Sequence, residues 1–189
     1  GDDGSPNFLN DFWEYDPVAN TWAARAGVPG PSTGRLGAVG FSIGSKGYFA
    51  TGSVTTDLLE YDPATNAWSW KAPLPGPGRY SAVGFSIGST GYVGTGAQGG
   101  TILDDFYAYD PATNTWSAKA TVGGGVRVYA AGFSIGSKGY IAGGASSGGN
   151  APGLVDVRVY DPASNTWTAA ASLPGSGKRY SAAFSLNGK

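Results

Sequence analysis

The sequence predicts an all-β protein built from a repeated four-stranded antiparallel unit, and two observations carry that reading. The first is a motif that returns in register. EYDPVANTW, EYDPATNAW, AYDPATNTW and VYDPASNTW place tyrosine at 15, 61, 109 and 160, so the period runs 46, 48 and then 51 residues. Self-similarity on that scale marks a repeat architecture. The second is the placing of glycine and proline. The chain has 33 glycines and 12 prolines, a share that would suggest low complexity if it were scattered. Here they fall at fixed offsets, as many short strands with tight turns require, and no segment has helical periodicity.

Each unit reads as four strands, A to D. Strand A is the small-residue run ending in Phe-Ser-Ile, as in 37–43. The following Gly-Ser-Lys-Gly is a hairpin turn, where glycine supplies the positive φ that a tight turn needs. Strand B is 48–51, with equivalents at Tyr92 and Tyr140, and strand C is DLLEY or DDFYAY. Asp-Pro then breaks the ladder, because proline has no N–H and Asp bonds its own turn. Strand D begins at Trp22, Trp68, Trp116 and Trp167 and leaves through a Pro/Gly-rich loop. Four strands in a period near 48 residues describe one blade of a propeller. The recurring Tyr and Trp are expected to pack between blades.

The units divide the single domain 1–189 at approximately 1–35, 36–78, 79–126, 127–178 and 179–189. That gives strands C and D, three complete blades, and a final strand A near Leu186. SAAFSLNGK stops at Lys189, where earlier copies enter strand B, and the chain contains no Met. It is therefore expected to be an excerpt or processed product. The expected form is an arc of a larger six- or seven-bladed ring, with the next strand B beyond Lys189.

Composition removes several classes of function. Net charge is -1 and 13% of residues are charged, which offers no footprint for nucleic acid or an anionic membrane. No apolar run approaches the length of a membrane span. With no Cys and no His, disulfides, thiolate sites and the commonest general base and metal ligand are absent.

GRYSAVGFSIGSTGYVGTG, followed by DDFYAYDPATNTW, resembles the kelch-repeat β-propellers over essentially the whole chain, and the wording is most like kelch proteins of Bacteroidetes-type bacteria. The resemblance implies that strand A lines a central channel and strand D lies outermost. It also implies a secreted or cell-surface setting. One departure is that the paired glycine closing strand B survives only as Gly143-Gly144, with threonine at 51 and 95. Threonine there is expected to suit a strand end. Some kelch propellers are copper oxidases, but their site is built on Cys, Tyr and His, and this chain lacks two of those types.

Length variation points to one functional face. Phe to the next strand-B Tyr is constant (41 to 48, 85 to 92, 133 to 140). Phe to the strand-C Tyr grows from 20 to 24 to 27 (41 to 61, 85 to 109, 133 to 160). All variation therefore lies in the B–C and D–A loops, which share one face, and loops on a rigid scaffold carry function. The same face holds Arg35, Arg79, Arg127 and Arg179 near the start of strand A, followed by Tyr80, Tyr129 and Tyr180. These seven are the candidate ligand-binding residues. The favoured reading for most of this ring is an ion pair between each Arg and one of Asp11, Asp57, Asp105 or Asp156, because a functional pocket rarely needs the same residue in every blade. Arg79 and Arg127 are expected to pair in this way.

No catalytic residue, cofactor or metal is assigned, although Asp2, Asp3, Asp104 and Asp105 together with loop carbonyls suit calcium chemistry. The expected function is a non-catalytic binding or scaffold module for a protein or glycan ligand. Two alternatives stand beside it. One is a carbohydrate-active enzyme, isomerase- or lyase-like, using Arg and Tyr at the channel mouth. The other is a structural component of a surface assembly that self-associates through open blade edges.

Overall fold

The computed structural model describes residues 9–30, 34–149 and 151–186. Sixteen strands and no helix occur among them, so none is long and apolar enough to cross a membrane. The first unit supplies β1 (Phe12–Asp16) and β2 (Thr21–Arg25). The second supplies β3 (Val39–Ile43), β4 (Lys46–Ala50), β5 (Leu58–Asp62) and β6 (Ala67–Lys71). The third has β7 (Val83–Ile87), β8 (Thr90–Gly94), a small hairpin of β9 (Ala97–Gln98) and β10 (Thr101–Ile102), then β11 (Phe106–Asp110) and β12 (Thr115–Lys119). The fourth has β13 (Ala131–Ile135), β14 (Lys138–Ala142), β15 (Val157–Asp161) and β16 (Thr166–Ala170).

Each complete unit is a four-stranded antiparallel sheet in simple A–B–C–D order, and β1–β2 form a two-stranded one. The register is the same in every blade. Phe41 faces Tyr48, Phe85 faces Tyr92 and Phe133 faces Tyr140, while Tyr61, Tyr109 and Tyr160 face Trp68, Trp116 and Trp167. Strand C runs one residue past its Tyr and strand D starts one residue before its Trp. The β9–β10 hairpin has no counterpart in the sequence reading. Residues 181–183 line a groove of about 340 Å³ with the equivalent small residues 38–40, 82–84 and 130–132. They occupy strand A's place but form no ladder there. An inner strand is held by its hydrogen bonds to strand B, and no described segment supplies one. Phe184 is accordingly 82% exposed.

The recurring residues bind one blade to the next. The Asp after each Tyr accepts a turn N–H, as Asp62 does from Ala64 at 2.9 Å. The Asn that ends the turn is left-handed in all four copies, with φ of 54, 51, 54 and 53° at Asn20, Asn66, Asn114 and Asn165; Asn tolerates this conformation well. Asn66 Oδ1 accepts the Tyr61 hydroxyl at 2.9 Å and the Ala26 N–H of the preceding unit at 2.9 Å. Trp68 Nε1 donates to the Ala26 carbonyl at 2.7 Å. The same pair of bonds joins Asn114 and Trp116 to Ala72, and Asn165 and Trp167 to Ala120.

Apolar packing follows the same path. Val39, Leu58, Leu74 and Val93 close over Tyr48 and Tyr109 between the second and third units. Val83, Phe106, Val122 and Ile141 close over Phe85 and Tyr160 between the third and fourth. The strand-A Phe of each blade needs bare backbone on the next. A Cβ added at Gly91 would lie 2.5 Å from Phe41 Cε2, and one at Gly139 would lie 2.4 Å from Phe85 Cε2. The invariant Gly-Tyr of strand B is thus half turn, half packing requirement. Gly91→Ala is expected to lower stability by about 1–3 kcal/mol through overpacking. Gly123→Ala, whose added Cβ meets nothing nearer than 4.0 Å, should be close to neutral by the same thermal or urea unfolding measurement.

Candidate functional site at the channel mouth

The D–A and B–C loops meet on one face, sewn together by backbone bonds. Leu74 N–H donates to Thr56 O at 2.8 Å, Val122 to Asp104 at 2.9 Å and Leu173 to Val155 at 2.7 Å. At the end of the first three D–A loops, an arginine turns into the protein. Arg35, Arg79 and Arg127 are only 5%, 0% and 0% exposed. Each reaches the strand-C Asp of its own blade. Arg79 grips Asp105 with two nitrogens, one contact being Nη2 to Oδ2 at 2.7 Å. Arg127 Nη2 lies 2.8 Å from Asp156 Oδ2, and Arg35 pairs with Asp57. The Nη1 groups also donate to the carbonyls of Thr51, Thr95 and Gly143 at 3.3, 3.0 and 3.3 Å.

This explains the residues that close strand B. They are left-handed, with φ of 60° at Thr51, 58° at Thr95 and 64° at Gly143. The expectation that threonine suits a strand end is therefore corrected: a β-branched residue in this region is strained. The arginine bond to its carbonyl helps hold it there. The ion-pair arrangement expected for Arg79 and Arg127 is formed. Asp11 instead accepts the Trp13 Nε1–H at 2.7 Å.

Register separates the fourth arginine from the ring. Gly52, Gly96 and Gly144 N–H donate to the carbonyls of Arg79, Arg127 and Lys178, so Lys178 holds the position of the buried arginines. Arg179 sits one residue later, at the surface, donating to Gly149 O at 2.6 Å and lying 5.5 Å from the Tyr180 ring centre. The three tyrosines likewise belong to two positions. Tyr80 lines a shallow apolar groove of about 270 Å³ with Leu36, Ser53 and Val54. Tyr129 and Tyr180 occupy the next position, equivalent to Gly37 and Ser81. There a backbone relay crosses the blades: Ser81 N–H to Gly37 O at 2.7 Å, Tyr129 to Ser81 at 3.3 Å and Tyr180 to Tyr129 at 2.9 Å.

The relay draws the Tyr129 and Tyr180 rings to 4.1 Å between centres. The hydrogen bond to Tyr180, reinforced by burial, pushes the Tyr129 hydroxyl up to about 12, so it stays protonated at neutral pH. Tyr180 is 65% exposed. Nothing in the sequence marked this tilted ring contact, at 34° between planes, which needs two blades in register. The two glutamates lie elsewhere on strand C: Glu14 pairs with Arg25, and Glu60 with Lys71 while accepting from the Tyr48 hydroxyl. Among the described residues no group of three acidic side chains could hold a metal ion. Asp105 is taken by Arg79, and Asp2 and Asp3 lie outside the described residues.

The comparisons with known proteins fit this geometry. The family model described as Kelch motif matches residues 91–123, the stretch from strand B through strand D of the third unit. The chain superposes on the solved structure titled "Structure of YjhT" with a TM-score of 0.73 at 19% identity, covering 87% of this chain and 60% of that one. The fold is the kelch-type β-propeller. This chain spans 60% of the length of YjhT, and no curated protein sequence matches it. Its kelch blades are four-stranded and antiparallel throughout the complete units.

Two outcomes follow from the buried pairs of this propeller. Asp105→Ala strands a fully buried guanidinium, and should cost about 3 kcal/mol by denaturant unfolding, the lower end for a broken buried pair because the Asp keeps some water contact. Asp156 predicts an acid response. Burial of its carboxyl opposes ionisation, but hydrogen bonds from Arg127 and Arg158 outweigh this and hold it below the ordinary value of 3.8. A carboxyl lowered by folding stabilises above its unfolded pKa, and that stability is lost as pH falls below about 4. The Tm of Asp156→Asn should therefore fall less steeply than wild type over that window.

Proposed function

We propose that this kelch propeller is a non-catalytic binding module, and that its variable face takes a protein or glycan ligand in a secreted or cell-surface setting. The observation that carries the reading is the division of labour at the mouth. The three buried arginines are consumed by structure, whereas Tyr180 is exposed, with half-buried Tyr129 and Arg179 against it, beside Gly/Ser/Asn-rich loops. Tyrosine offers a large, rigid, amphipathic contact at low entropic cost, and Ser, Gly and Asn offer adaptable hydrogen bonding. A tyrosine ring also suits the apolar face of a sugar.

The enzymatic alternative, sugar isomerisation or lyase-like chemistry, asks for a general base with a pKa near the working pH. Tyr129 is shifted away from that range and both glutamates are engaged on strand C. A glycan array and a binding screen against extracellular protein domains, run beside an activity panel on sugar acids, test the reading. Tyr180→Ala should weaken a ligand found this way by about ten-fold or more with Tm unchanged. Turnover of a sugar acid that is lost in the same variant would overturn the non-catalytic reading.

A further inference from the structure

The start of strand C carries one position that differs in every unit. Two residues before the strand-C tyrosine stand Trp13, Leu59, Tyr107 and Arg158. In the three complete units, the Asp two residues further back is gripped by the buried arginine of its own blade. Beside Asp57 the variable position is apolar, and beside Asp105 it is a neutral phenol, so each of these carboxylates balances one guanidinium. Beside Asp156 it is a second arginine. Arg158 Nε donates to Asp156 Oδ2 at 2.9 Å, the oxygen that already accepts Arg127 Nη2 at 2.8 Å. One carboxylate thus faces two guanidinium groups, and a cation is left in excess.

Donors exceed acceptors there as well. In the third unit every nitrogen of the Arg79 guanidinium has an acceptor: Nε the Pro77 carbonyl at 3.3 Å, Nη1 the Thr95 carbonyl at 3.0 Å and Nη2 Asp105 at 2.7 Å. In the fourth, Arg127 Nε is buried with no partner. Arg158 bonds through Nε alone, and its Nη1 and Nη2 meet no acceptor among the described residues. An arginine needed only to steady Asp156 is satisfied through Nε. The remaining edge, two parallel N–H donors, has the geometry of a carboxylate.

The site lies at the boundary of the third and fourth units, both of them complete blades. Its approach is shaped by the D–A loop of the third. Arg158 rests so closely on Gly124 that a Cβ added there would stand 2.2 Å from Nη2 and 2.5 Å from Nε. Gly123, Gly124 and Gly125 are all exposed and place no side chain over the guanidinium, which is recessed to 24% exposure. The Asp156 bond and the Gly124 contact hold the side chain in place, so little rotamer freedom is lost when a ligand binds.

We propose that Arg158 takes an aspartate or glutamate side chain of a protein partner, its Nη1 and Nη2 donating to the two carboxylate oxygens while Asp156 keeps Nε. A carboxylate on a methylene arm reaches a recessed guanidinium. The carboxylate of a uronic acid is bonded directly to its ring and brings the bulk of that ring against the loop. The inference rests on the binding-module reading and adds the chemistry of one contact, apart from the tyrosines at the mouth.

An NMR titration of the 189-residue chain with hexaglutamate at low salt, following the Arg158 Nε–H and the Gly124 N–H, tests this. Both signals should shift saturably, and hexalysine should move neither. The Gly124 shift should vanish in Arg158→Tyr, which copies the third unit and should keep a Tm close to wild type; Arg158→Leu, copying the second, serves the same purpose. Arg158→Lys keeps the charge without the fork and should weaken binding about ten-fold or more. Hexaglutamate that leaves Arg158 unmoved would overturn the proposal, and so would binding that survives Arg158→Tyr. Saturation by oligogalacturonate but not by hexaglutamate would overturn the protein source in favour of an acidic glycan. A ligand lost with Tyr180→Ala yet indifferent to Arg158→Tyr, with hexaglutamate silent, would overturn this inference alone and leave the binding-module reading intact.

Discussion

The architecture depends on a bond that crosses from one sheet to the next without using the side chain of the residue it grips. Asn66, Asn114 and Asn165 accept a backbone N–H from the preceding unit, and Trp68, Trp116 and Trp167 return a donor to the same residue's carbonyl. These bonds lie at the rim of the boundary, where the Asn side chains are exposed and the Trp rings half-buried, so they act by direction and register more than by satisfying buried groups. They also fix the angle between blades, because the Asn is held by its own Tyr and the Trp by its ring contacts. The Phe-on-glycine packing and the apolar clusters between units follow from that alignment.

The arginines show how repetition can look like function. Three cations near a channel mouth suggest an anion receptor, yet all three are buried and each bonds a strand-C carboxylate and a strand-B carbonyl. Each arginine joins the beginning of strand A, the end of B and the beginning of C, the corner where the sheet opens into its loops. A buried pair of this kind contributes little net stability against an apolar alternative. Its role here is geometric, since it anchors the left-handed residues at 51, 95 and 143 that turn the chain out toward the variable face.

Much of this was legible in the sequence because its signals are local or periodic. The four Tyr-Asp-Pro-x-x-Asn-x-Trp copies fixed the number of strand pairs, and constant distances from Phe to Tyr fixed the short hairpins. The Arg–Asp pairing was visible as one of two options, since both partners recur in step. What escaped was contact between blades at single-residue precision. Arg179 was grouped with the buried arginines although Lys178 takes that place, and Tyr80 was grouped with Tyr129 and Tyr180 although it lies one position earlier. A shift of one residue reverses which way a side chain points. Counting back from each Phe already puts Lys178 at the offset of Arg35, Arg79 and Arg127, and the backbone bonds at Gly52, Gly96 and Gly144 show what that offset means. The β9–β10 hairpin was hidden for another reason: Gln98-Gly99-Gly100-Thr101 carries a turn signal inside a loop too short to suggest strands.

The grip on bare backbone at Ala26, Ala72 and Ala120 has a consequence for how such a chain can change over time. A donor and an acceptor from the main chain are offered by almost any residue other than proline. One unit therefore imposes no particular side chain on its neighbour at that point. Whole units can be duplicated, deleted or exchanged by recombination in steps of one repeat, and each new junction inherits a working contact. The loops of the variable face are free to diverge within each copied unit. Such a gene can enlarge its repertoire of surfaces while its architecture stays constant.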